Sequence, residues 1–116
     1  MDTTRLDPAT YREDEVVGVY EDTPGDADSL WLSERLVRRL VLIAAAYELH
    51  TLPMLGDADP SHLNRQRCIS LLDELVFVAE RLDDPAAATT AQVIQDYVAV
   101  RVRRHGWTGE VTFDAN

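Results

Sequence analysis

Three histidines, one cysteine and 21 carboxylates are the raw material for catalytic or metal-binding chemistry in this 116-residue chain. A metal site on a helix needs ligands three or four residues apart. His50, His62 and His105 form no His-x-x-x-His or Glu-x-x-His pair. Asp59 and His62 have an i, i+3 spacing, but Asp59 before Pro60 is accounted for as a helix cap. Cys68 is the only cysteine, which excludes an internal disulfide and a cysteine-rich zinc site. Set between Arg67 and Ile69 in a helical pattern, it reads as a small buried hydrophobe. No Gly-x-Ser-x-Gly elbow is present, and glycines at 18, 25, 56, 106 and 109 are too scattered for a phosphate-cradling loop. The adjacent pairs Asp73-Glu74 and Asp83-Asp84 point to different faces and read as solvated edges or caps. The expectation is a protein that is not an enzyme, with no catalytic residues, no metal and no cofactor.

Charge says more. The net charge is −10, and all eleven cations are arginine. A field this negative opposes phosphate backbones and anionic lipid headgroups, so nucleic acid and membranes are poor partners and a basic protein is a good one. The excess is concentrated. Residues 1–28 hold nine carboxylates against Arg5 and Arg12, whereas the rest of the chain holds twelve carboxylates and nine arginines. Arg101, Arg103, Arg104 and His105 form the one dense basic patch; it suits a helix C-terminus or pairs with the acidic segment.

The elements that would position these groups follow from periodicity and punctuation. Length and an apolar fraction of 46% give one domain with a core of its own. Within the acidic segment, Val16–Tyr20 is a short β-prone island, and Thr23-Pro24-Gly25 breaks the chain after it. Helices are predicted over about 29–52, 60–82 and 85–105. Ser29 or Asp28 caps the first and Pro53 stops it; Asp59-Pro60 and Asp84-Pro85 open the others. Residues 97–103 also alternate with period two, so helix and strand both fit there, and helix is preferred because the 3.6-residue pattern runs in from Gln92. A short strand is expected near 110–113, able to pair with 16–20. The fold class is therefore mainly α: a three-helix bundle-like core (29–116) with short terminal β segments and an acidic N-terminal segment (1–28).

One feature of the first helix is unusual. From Leu40 to Tyr47 every residue is apolar, so two helical turns lack a polar side and need cover on the far side. The terminal segments, a ligand or a second subunit are the candidates for that cover; in the last case Leu42, Ala45 and Ala46 form the self-association surface. No apolar run approaches the ~20 residues of a membrane span, and Met1-Asp2-Thr3-Thr4-Arg5 has neither a basic nor an apolar leader, so the cytoplasm is expected.

The functional expectation is a small protein-interaction module, of the kind that inhibits a basic partner as immunity proteins and antitoxins do. Glu13, Asp14, Glu15, Glu21 and Asp22 would orient the partner and Trp31 would anchor it. The alternatives are a homodimeric scaffold or regulatory subunit, and a small-molecule-binding domain with a pocket under the first helix lined by Tyr47, Tyr97 and a tryptophan.

Overall fold

A computed structural model describes residues 16–21, 29–56 and 60–114. Its elements run β1 (Val16–Tyr20), β2 (Leu30–Ser33), α1 (Glu34–Ala46), a 3-10 turn (Leu52–Gly56), β3 (Ser61–Leu63), α2 (Arg65–Ala79), α3 (Pro85–Val102) and β4 (Val111–Asp114). The strands form one antiparallel sheet in the order β2-β1-β4-β3. The fold is α+β, which overturns the expected mainly α three-helix bundle and any all-α description. The strands near the two ends do pair, Val19 opposite Phe113, but they are the centre of a four-stranded sheet, not an isolated ribbon.

The two added strands come from segments predicted to be helical turns. Leu30-Trp31-Leu32-Ser33 is strand where the first helix was expected to begin, so α1 starts at Glu34. Ser61–Leu63 is strand where the second was expected, and the cap of α2 is Asn64, whose side chain accepts the Arg67 N–H at 2.9 Å. Pairing with β1 and β4, distant in sequence, decided both segments. The third helix ends at Val102, and Tyr97–Val102 is helical.

Alternation sorts the strand side chains onto two faces. Val17, Val19, Leu32, Leu63, Val111 and Phe113 point inward and join Leu40, Leu71, Leu75, Ile94 and Val98 of the helices in a single core. Each such side chain stabilises the fold by about 1.5–3 kcal/mol. On α1 the buried stripe is Val37, Leu40 and Ala44, and Tyr47 is exposed.

Two polar devices fix the connections. The Glu74 carboxylate on α2 accepts the N–H groups of Thr51 at 3.0 Å and Leu52 at 2.6 Å, pinning the 3-10 turn to the helix. At the end of α1, Leu49 N–H reaches the Ala44 carbonyl and Glu48 N–H the Ala45 carbonyl. This is a Schellman closure with Glu48 at φ 60° in the left-handed position that glycine favours.

Candidate functional site

The face of the sheet turned away from the core carries Val16, Gly18, Tyr20, Trp31, His62 and Thr112. On a one-sided antiparallel sheet this face is normally polar. Here its centre is aromatic. Gly18 and Trp31 are cross-strand partners, and the indole lies over the glycine. A Cβ on Gly18 would stand 3.1 Å from Cζ3 of the ring. The missing side chain is what lets the ring settle on the strand, where it keeps 38% exposure. Among the described residues β2 is the outermost strand on its side of the sheet. In the neighbouring row, His62 and Thr112 are partners, with Nδ1 and Oγ1 3.0 Å apart.

Just past the end of β1, Glu21 is held from three sides. Its carboxylate meets Nε of Arg101 at 3.2 Å and Nη1 of Arg104 at 3.2 Å, and it accepts the Trp107 Nε1–H at 2.9 Å. Arg101 is nearly closed off from solvent, at 4% side-chain exposure. Its guanidinium carbon sits 3.6 Å from the Tyr97 ring centroid, and Nη1 donates to the Tyr97 carbonyl at 3.0 Å. Gly109 makes room beside Trp107, since a Cβ there would stand 2.9 Å from Nε1. The cluster ties Glu21, just past β1, to the end of α3.

The residues expected to bind a partner are therefore placed unequally. Trp31 is exposed on the outer sheet face, and Glu21 serves an internal ion-pair cluster at the end of the adjoining strand. Glu13, Asp14, Glu15 and Asp22 lie outside the described residues. Of the 21 carboxylates and 11 arginines, the described residues hold eleven and nine, so nearly all of the acidic excess is in the segments that flank β1 and in 57–59.

The residues expected to self-associate, Leu42, Ala45 and Ala46, are all exposed on α1. Leu42 also stands at the lip of a largely apolar groove of about 300 Å³ lined by Val17, Val37, Val41 and Leu55, with the Glu34–Arg38 pair at its rim. This groove lies under the first helix, but neither Tyr47, Tyr97 nor a tryptophan lines it.

Among the described residues no group of three or more His, Cys, Asp or Glu side chains is gathered as a metal site would require. Burial pushes the Cys68 thiol up to about 11, and its Sγ approaches the Leu63 carbonyl at 3.5 Å. A thiol so protonated is a poor nucleophile at neutral pH. No helix among the described residues is long and apolar enough to cross a membrane.

Sequence reasoning missed the Gly18 seat and the Tyr97 and Trp107 contacts; pairing of the basic patch with the acidic segment was one of its two readings, and the ion pairs of Glu21 with Arg101 and Arg104 bear it out. A lone glycine inside Val-Val-Gly-Val-Tyr does signal close approach of another group to a strand. Nothing local connects Glu21 with arginines 80 or more residues further on. Comparison with protein-family models, with curated proteins and with solved structures found no match.

Proposed function

We propose that this protein is a binding module whose outer sheet face docks on a basic protein, with Trp31 as the anchor and the acidic segments flanking β1 as the steering charge. The observation that carries this reading is the seating of Trp31: a large aromatic fixed over Gly18 on an edge strand, partly in solvent. Tryptophan supplies large contact area at low entropic cost, and interface hot spots are enriched in it. Tyr20 and Val16 extend the apolar surface. In the sequence, residues 1–15 precede β1 and residues 22–28 follow Glu21, and together they carry eight carboxylates. Charge of this sign accelerates capture of a basic partner and disfavours nucleic acid. Within this class, an inhibitor that occupies a phosphate-binding surface of a nucleic-acid-binding or nucleic-acid-degrading protein fits the charge best.

The test is capture of partners from the native lysate on wild-type protein and on Trp31→Ala, each at low and raised salt. The expected result is a basic protein held by wild type, lost with Trp31→Ala, and slower to associate as salt rises. Identical captures on the two baits, or an acidic partner with a salt-independent association rate, would overturn it.

A further inference from the structure

A second surface, remote in sequence from Trp31, lies on the outside of the α2–α3 hairpin. Of the six large hydrophobic side chains exposed among the described residues, three are here: Ile69 at 44%, Val76 at 50% and Val100 at 57%. Val76 and Val100 line one groove with Leu72 and Ala99, bounded by Asp96 and Arg103. Exposed apolar side chains gathered on one helical face mark an interface more than scattered ones do. The charges say which partner fits.

On α3 the outward stripe is Gln92, Asp96, Ala99, Val100 and Arg103, residues that recur with the helical period. Asp96 and Arg103 stand seven residues apart, about 10 Å along the axis. Arg103 has no carboxylate partner among the described residues, and the Asp96 carboxylate accepts the Gln92 side-chain amide at 2.9 Å. If the stripe meets its own copy in antiparallel fashion, a twofold axis between Ala99 and Val100 brings Asp96 level with Arg103 of the second copy. The same operation brings Arg103 level with Asp96 of the second copy. The small side chain of Ala99 at the axis permits close approach, and Val100, Leu72 and Val76 of each copy fill the centre. Such self-complementarity is what a twofold interface requires. The exposed face of α1 lacks it. There Arg35, Arg38 and Arg39 lie beside Leu42, and an antiparallel pairing about Leu42 sets Arg38 and Arg39 against Ala46 and Ala45.

We propose that the α2–α3 face is a homodimer interface, with two reciprocal Asp96–Arg103 pairs bracketing an apolar centre. The reading is independent of the sheet face, which shares no residue with it. A face about 22 Å long and two helices, roughly 20 Å, wide buries roughly 900 Å² over the two copies, which is the range of weak, transient association.

The experiment is sedimentation velocity from about 5 to about 500 µM, a span that brackets the affinity expected of so small an interface. Wild type should pass from monomer to dimer. Asp96→Arg and Arg103→Asp should each remain monomeric or weaken association by at least about tenfold, because each puts like charges opposite one another twice. An equimolar mixture of the two variants should form a heterodimer, since every cross pair is then opposite in sign, and the double variant should dimerise by itself. Circular dichroism of the single variants, expected to match wild type, separates lost association from lost fold. A wild type that is monomeric throughout, or single variants that dimerise as wild type does, would overturn the proposal. So would a mixture of folded single variants that stays monomeric.

Discussion

The indole of Trp31 rests on the backbone of Gly18, its cross-strand partner, in the space that any other residue's side chain would fill. The pair makes one unit out of two strands. It converts an edge-strand aromatic, which would otherwise sample several rotamers, into a flat and positioned surface. Preorganisation of this kind lowers the entropy lost when a partner binds.

Replacing Gly18 with alanine tests the seating directly. The added Cβ, 3.1 Å from the ring, forces the indole to tilt outward, which it can do because its far edge is in solvent. Alanine also removes the backbone freedom that makes glycine a weak strand residue, so stability should stay within about 1 kcal/mol of wild type. The Trp31 indole N–H resonance should move while that of Trp107, bonded to Glu21, should not. Partner capture should weaken.

Glu21 should matter for stability. Glu21→Gln keeps an acceptor for Trp107 but removes the charge facing Arg101, whose side chain is almost fully enclosed. Taking the Glu21 charge away from a buried guanidinium should cost about 2–4 kcal/mol in urea denaturation. The exposed Arg104 contributes little to that figure. Removing the buried charge as well, in Glu21→Gln with Arg101→Gln, should cost less than the sum of the two single substitutions, because the residues act as a pair.

Much of the helical layer was legible because its signals are local. The side chain of Asp84 accepts from Ala86 N–H at 3.0 Å, and Pro85 takes the first helical position. Ala87, Ala91, Ile94 and Val98 form a buried seam. The same punctuation at Asp59-Pro60 precedes a strand, because three residues there bond to β4 and the helix waits for Asn64. Strands of three and four residues are too short to show alternation, and their partners lie 48 or more positions from β3 and 10 or more from β2. The candidate site divides in the same way. Trp31 was visible as an aromatic near carboxylates, but its glycine seat depends on cross-strand register, and the Glu21 cluster depends on the path of the whole chain.

Glu48 offers a stabilising substitution. It closes α1 at φ 60°, where a side chain crowds its own backbone and glycine does not. Glu48→Gly should keep the Leu49-to-Ala44 and Glu48-to-Ala45 bonds and relieve that crowding. The larger backbone entropy of an unfolded glycine takes back part of the gain. A net increase of about 0.5–1 kcal/mol is expected, read as a higher urea midpoint with an unchanged slope.

The buried thiol gives a pH dependence of known sign. Unfolded, Cys68 loses its proton near its ordinary value of 9.0; folded, burial holds the proton to about 11. Between those values the folded state binds more protons, so stability is fully present below pH 9 and falls as pH rises toward 11. The full loss is about 3 kcal/mol. Urea midpoints measured from pH 8 to pH 11 should fall more steeply for wild type than for Cys68→Ala. At pH 8 the native thiol should resist alkylation and react once urea unfolds the chain.

Neighbouring residues on β2 give the sharpest separation of fold from function. Leu32 points into the core and is fully buried, so Leu32→Ala leaves a cavity and should cost about 2–5 kcal/mol. Trp31 points the other way and keeps 38% exposure, so Trp31→Ala opens no enclosed cavity in the core. Its cost should be about 1 kcal/mol, with the melting transition still cooperative. Binding should respond in the opposite sense. At a temperature where both variants are folded, Leu32→Ala should retain the captured partner and Trp31→Ala should lose it. If Trp31→Ala is instead the more destabilised of the two, the indole belongs to the architecture of the sheet and the partner's anchor must be sought elsewhere.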